Sequence, residues 1–169
     1  MEKLLITLVA LAVSVTACKA QIKAPVGIFS LTKGDDAEVA NDLGWTNSNL
    51  SGVAVRATFA FVNSGGPGSY TWTNIDHAQG AADRNHKAWA LSFDASQAPP
   101  WIYGSTGNVA PFNLYDSTTP CTQDGQQIPA PWDNNFQSIW SALAQAAAAR
   151  YGNDPYLAYI TFSGLGQSG

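Results

Sequence analysis

Val53-Ala54-Val55-Arg56-Ala57-Thr58-Phe59-Ala60-Phe61-Val62, followed after Asn63 by Ser64-Gly65-Gly66-Pro67-Gly68-Ser69, is the stretch on which the fold turns. Its β-branched and aromatic residues predict a strand over 53–62, and the Gly/Pro run behind it forces a loop. Outward in both directions the chain alternates between runs of this kind and helix-patterned ones. Upstream, Val26 to Leu31 (VGIFSL) reads as a strand, and Asp35 to Leu43 carries helix-forming Ala, Glu and Val ahead of Gly44, which suits a C-cap. Downstream, Thr73 opens a helix with Asp76 as a capping-box-like partner and Ile75, Ala78 and Ala82 on one face. Trp72 falls at the foot of that helix, and His77 and His86 fall on its polar face. Ala88 to Phe93 (AWALSF) is a third strand.

The stretch from Ala98 to Pro131 is rich in Pro, Gly, Asn, Asp and Gln and has little periodicity. Loops longer than about 15 residues are usually functional or disordered, and Trp101, Tyr103, Phe112 and Tyr115 argue against disorder here. Asp133 then starts the clearest helix. Phe136, Ile139, Trp140, Leu143 and Ala147 recur at helical spacing, and Gly152 ends the pattern before Pro155. Tyr156 to Ser163 (YLAYITFS) is the fourth strand.

Strands and helices alternating at intervals of roughly 30 residues are the pattern of parallel βα units. The expected fold class is α/β, a parallel (β/α) barrel. A closed eight-stranded barrel takes about 250 residues, so residues 26–169 are expected to hold the first four βα units of a TIM barrel. No helix pattern covers the fourth strand, although parallel sheets are normally buried on both faces. A half-barrel with unpartnered edge strands is expected to be poorly stable alone. A smaller open α/β domain with an unrelated ligand would instead unfold cooperatively as a monomer.

Of the 169 residues 46% are hydrophobic, enough for one core, but only 12% are charged, about half the usual share of roughly 25%. Net charge is −4, and the Lys and Arg residues are scattered without a basic stripe, which excludes a nucleic-acid partner on electrostatic grounds. Six Trp, six Tyr and seven Phe stand out against this low charge. Met1-Glu2-Lys3, an apolar stretch from Leu4 to Val15 and small residues after it have the layout of a signal peptide over residues 1–18. The apolar part is too short to span a bilayer, which needs about 20 residues. Val15-Thr16-Ala17-Cys18 resembles a bacterial lipobox, in which Cys18 would be lipidated and would anchor the chain to a membrane. Ordinary cleavage near Ala20 is the alternative. Residues 19–25 then form a linker, and the protein is an exported bacterial one of the cell envelope, the periplasm or the medium. With Cys18 lipidated, Cys121 is a bystander thiol, and no Cys/His spacing suits zinc.

In a parallel barrel the working residues lie at the C-terminal ends of strands and in the loops behind them. That places Lys33 and Asp35 after the first strand, Arg56 and Asn63 around the second, Asp94 at the end of the third with Trp101 behind it, and Ser163 and Gly164 at the fourth. Indole and phenol faces stack on the apolar faces of sugar rings while Asp, Asn and Arg bond their hydroxyls. Aromatics in polar, low-charge loops of an exported protein therefore point to carbohydrate. Arg56 has a structural alternative as an ion pair, and Asp94 as a loop cap.

Tyr70-x-Trp72-x-x-Ile75-Asp76-x-Ala78, Leu91-Ser92-Phe93-Asp94, Pro99-Pro100-Trp101-Ile102, Pro131-Trp132-Asp133 and Tyr151-Gly152-Asn153-Asp154-Pro155-x-Leu157-Ala158-x-Ile160 resemble the first half of barrel glycoside hydrolases. The group is the retaining Glu/Glu clan, with β-galactosidase-like and cellulase-like enzymes, and the likeness covers residues 26 to 163. It implies hydrolysis of O-glycosidic bonds in an oligo- or polysaccharide by two carboxylates about 5–5.5 Å apart; no cofactor and no metal-ligating residue is expected in this chain. In that clan the acid/base follows strand four and the nucleophile ends strand seven. Glu2 and Glu38 are the only glutamates here, so the chain supplies no catalytic residue, and a pair among Asp35, Asp94 and Asp133 has no motif behind it. What the resemblance leaves to this chain is part of the substrate wall: Arg56, Asp94, Trp101 and Trp132. The chain alone is then an inactive N-terminal fragment of an exported glycoside hydrolase. The rival is a non-catalytic carbohydrate-binding surface lipoprotein, whose sugar affinity would weaken on Trp101→Ala.

Overall fold

A computed structural model describes residues 26–113 and 127–163. Strands β1 (Phe29–Lys33), β2 (Gly52–Thr58), β3 (Ala88–Asp94) and, last in the chain, β6 (Leu157–Ser163) form one sheet in the order β1-β2-β3-β6. Every neighbouring pair in it is parallel. A short antiparallel hairpin, β4 (Pro111–Asn113) with β5 (Gln127–Pro129), interrupts the connection from β3 to β6. The helices are α1 (Phe59–Val62), α2 (Thr73–Asn85) and α3 (Asn134–Tyr151). Sheet strands thus follow one another in chain order, as in consecutive βα units.

One face of the sheet is a packed core. Val53, Val55 and Ala57 of β2 and Trp89, Leu91 and Phe93 of β3 are fully buried, at alternate positions as strand geometry requires. Against them lie Ile75, Ala78, Ala81 and Ala82 of α2 and Phe136, Leu143, Ala147 and Tyr151 of α3. Burying a large apolar side chain of this kind contributes about 1.5–3 kcal/mol. Aromatic rings join the layers: Trp72 meets Phe93 and Tyr151 edge-on at 6.3 Å and 5.7 Å, and Trp140 meets Phe162 at 5.5 Å. Trp72 thus packs at the foot of α2, as expected. The two helices are also clamped outside the core, where the Arg150 guanidinium pairs with Asp76 at 2.6 Å and the Tyr151 hydroxyl donates to the same carboxylate at 2.8 Å. Burial, with that carboxylate second, pushes the Tyr151 phenol well above the usual range.

Three local expectations are overturned. The helix expected over 35–43 is replaced by two 3₁₀ turns, Val39–Asn41 and Leu43–Trp45. Asp36 caps the Glu38 N–H and Asp42 the Gly44 N–H, so local carboxylates break the ladder a helix would need. The buried Trp45 indole then ties back to the Val39 carbonyl at 2.7 Å. Second, the strand over 53–62 stops at Thr58, whose hydroxyl accepts the Phe61 N–H and caps α1. Third, Thr73 opens α2 as expected, but as its first helical residue and not in a capping box: Trp72 is the N-cap, its indole has no acceptor for a capping bond, and the Asp76 carboxylate is engaged by Arg150 and Tyr151. The long helix conforms: Asp133 caps α3 through the Asn135 and Phe136 N–H groups, and Gly152 follows its last residue. The signal peptide over 1–18, Cys18, the linker over 19–25, Tyr115, Cys121 and Gly164 lie outside the described residues.

Candidate functional site

Parallel pairing puts register partners on the same side of the sheet. The face opposite the core therefore carries the row Lys33–Arg56–Ser92–Thr161 and, one step toward the C-terminal edge, Thr58 and Asp94, with the Ser163 backbone in register beside Asp94. Toward the other end lie Leu31, Ala54, Ala90 and Tyr159. Much of this face is open, with Leu31 59% and Tyr159 36% exposed, although Ala90 and Asp94 on the central strand are buried. Small residues and a row of polar ones stand where the opposite face is solidly apolar.

Arg56 is half-buried in mid-strand, and its register partner on β1 is another cation, Lys33. Neither makes an ion pair or side-chain hydrogen bond among the described residues, where Arg150–Asp76 is the only salt bridge. Like charges side by side repel, so the row presents unsatisfied donors to whatever covers it. The Arg guanidinium has five N–H donors in a fixed fork, suited to a carboxylate or to paired hydroxyls.

Asp94 ends β3 and is buried, with Oδ1 accepting the Ser96 N–H at 2.8 Å. That bond is a loop cap, the structural alternative for this residue, and Asp94 also sits diagonally beside Arg56 on the open face. Asp35 is spent on structure: its carboxylate takes the Thr58 N–H at 2.9 Å and the Thr58 hydroxyl at 2.8 Å. The Asp35 carbonyl in turn accepts from the Asn74 amide at 3.0 Å. This tie fixes the C-terminal ends of β1 and β2 to α2.

Behind the edge, Trp101 lies in a 3₁₀ turn, Pro100–Tyr103. Its indole N–H donates to the Asn63 carbonyl at 2.7 Å, and its ring meets Phe59 edge-on at 6.3 Å. Asn63 is itself buried, and its amide, turned to donate, reaches the Ser69 carbonyl at 3.0 Å and that of Gly66. The turn it holds uses φ of +118° at Gly66 and +73° at Gly68, angles for which glycine is the default. Trp101 is thus half-buried, packed against the core and held by its indole N–H.

Trp132 sits on the β3–α3 excursion, paired with Phe112 and mostly exposed. The open-face row and the Phe112 partner are what sequence reasoning missed. Period-2 alternation of Ala54, Arg56 and Thr58 against Val53, Val55 and Ala57 carried a signal for the first; nothing in the sequence pairs Phe112 with Trp132. His77 is exposed, and His86 is an exposed left-handed C-cap of α2 whose Nδ1 pairs with the Tyr156 hydroxyl at 2.5 Å. Among the described residues no three of His, Cys, Asp and Glu gather as a metal site.

No family model matches the chain. No curated protein matches it either. Solved structures do. The catalytic domain of a β-amylase from Paenibacillus polymyxa superposes with a TM-score of 0.55 at 14% identity, over 83% of this chain and 38% of that one. A β-galactosidase from the psychrophilic Marinomonas ef1 gives 0.51 at 13% identity, over 81% of this chain and 21% of that one. Both are TIM-barrel glycoside hydrolases, and the chain spans well under half the length of either. At such identities the likeness is one of fold.

Proposed function

We propose that residues 26–169 are the first four βα units of an exported glycoside hydrolase with a (β/α) barrel, of the retaining Glu/Glu clan, held at the cell envelope by a lipid on Cys18. The observation that carries this is the open sheet face. A parallel sheet in chain order is covered by helices on one side and shows the polar row Lys33–Arg56–Ser92–Thr161 on the other. Such a face belongs inside a barrel, where further strands cover it. The fold likeness to two glycosidase barrels supports the same reading.

Hydrolysis in that enzyme runs through two carboxylates carried by later units. One protonates the leaving oxygen, the other forms a glycosyl-enzyme intermediate, and water then releases the sugar with the first carboxylate as base. The residues of this chain bind and orient. Arg56 donates to sugar hydroxyls or to one of those carboxylates, Asp94 accepts from a hydroxyl, and Trp101 forms a wall.

Reading the gene past the codon for Gly169 tests this. An open frame with four more βα units, a Glu soon after Gly169 and another near strand seven is the expected result. A stop codon at once would overturn it in favour of a non-catalytic glycan-binding surface protein.

A further inference from the structure

Phe112 of β4 and Trp132, just past β5, meet edge to face with ring centroids 5.3 Å apart and planes at 78°. Both stand in solvent, Trp132 66% and Phe112 40% exposed. An edge-to-face contact covers at most one face of the indole and leaves the other open.

The support beneath the pair is rigid. Phe112 is in register with Ile128, which is buried together with Ala130. The Ala130 N–H donates to the Ala110 carbonyl at 2.9 Å, and the Asp133 N–H to the Ala130 carbonyl at 3.0 Å. The Ala110 N–H reaches Asp133 Oδ2 at 3.0 Å, and Pro131 restricts the backbone immediately before the indole. Val109, next to this web, is part of the core. A side chain so held loses little freedom when a ligand arrives, which favours binding.

The surroundings select the ligand. Among the described residues from 108 to 137, Asp133 is the one charged side chain. Its oxygens are taken by the Ala110, Asn135 and Phe136 N–H groups. The nearby amides are Asn113, Gln127, Asn134 and Asn135, of which the Asn135 amide donates to the Asn108 carbonyl at 2.8 Å. Among the described residues of this stretch no free charge stands by the open indole face, and its neutral donors and acceptors suit a neutral ring with an apolar C–H face and a hydroxylated rim.

We infer that Trp132, backed by Phe112, is a stacking subsite for one pyranose ring of a neutral oligo- or polysaccharide, on the excursion between β3 and α3. The inference rests on the glycan-active reading above and names the aromatic pair that would hold the ring.

Affinity electrophoresis of the complete product of the gene in gels containing soluble starch, galactan or hydroxyethyl cellulose tests it. The complete product is expected to be retarded in at least one of these gels. Trp132→Ala is expected to weaken that binding by about tenfold or more, a factor worth about 1.4 kcal/mol. Trp132→Phe should keep most of it, and Phe112→Ala should give an intermediate loss. Because the Trp132 side chain is mostly in solvent, its variants should melt with the parent protein. Retardation unchanged in Trp132→Ala overturns the subsite and leaves the glycosidase reading standing, since binding then lies elsewhere. A parent protein that runs freely in all three gels overturns the subsite and removes the support for glycan recognition. Equal loss in Trp132→Ala and Trp132→Phe also overturns it, because stacking needs only an aromatic face.

Discussion

Phe59 and Phe61 distinguish a helical turn from a strand at the end of β2. In a strand over 53–62 the two rings would share a face, and replacing either would cost about the same. In the structure they diverge. Phe59 is fully buried, with Trp140 at 5.2 Å and Trp101 at 6.3 Å, both edge-on. Phe61 is half-buried and has no ring partner among the described residues. Phe59→Leu keeps most of the apolar volume and removes two aromatic pairs, each worth about 0.5–1.5 kcal/mol beyond area burial. The expected loss is about 1–3 kcal/mol, a large fraction of a typical stability of about 5–15 kcal/mol. Phe61→Leu should cost under about 0.5 kcal/mol. Urea unfolding of both variants, followed by far-UV circular dichroism, measures the difference as a shift in midpoint at constant slope. Equal midpoints for the two variants would refute the argument, and so would a larger loss at Phe61.

Asp35→Ala strips the Thr58 N–H and hydroxyl of their acceptor and is expected to cost about 1–3 kcal/mol in urea unfolding; Asp35→Asn, which retains an acceptor, should cost less, and an unchanged midpoint in both would dismiss the tie between β1 and β2. Asp133 titrates below the ordinary carboxylate value of 3.8, chiefly because the Ala110 and then the Phe136 N–H groups bond its ionised form. Its folded pKa is depressed, so its contribution to stability is present above the unfolded value and is lost as pH falls through the folded one. Asp133→Asn should therefore flatten the acid limb of a melting-temperature profile below 3.8, and parallel profiles for the two proteins would contradict this.

Much of the fold was legible where local pattern and tertiary context agree. β3 emerges within one residue of its apolar run, and α3 with its Asp133 cap and Gly152 stop, because cap, stripe and terminator all lie within that one stretch of chain. Reading failed where a short polar side chain chose a partner that local pattern does not name. Asp36 and Asp42 capped turns in place of a helix, and Asp76 gave its carboxylate to Arg150 and Tyr151, far along the chain. The Thr58 cap was visible in principle, since Thr is a strong N-cap, but the apolar run on both sides of it masked the change of period. At the site, strand ends picked out Arg56, Asp94 and Trp101. The open row that includes Arg56 needed the register of four strands, and the Phe112–Trp132 pair needed the hairpin that joins them.

Reducing-sugar release from soluble starch and galactan by the complete product of the gene, beside the 169-residue chain and an Arg56→Ala form of the complete product, tests the central claim most directly. Turnover is expected from the complete product, none from the 169-residue chain alone, and kcat/KM should fall about tenfold or more in Arg56→Ala, the loss of about one hydrogen bond to a charged group. Release of sugar by the 169-residue chain would contradict that claim, as would a folded complete product with no glycosidase turnover.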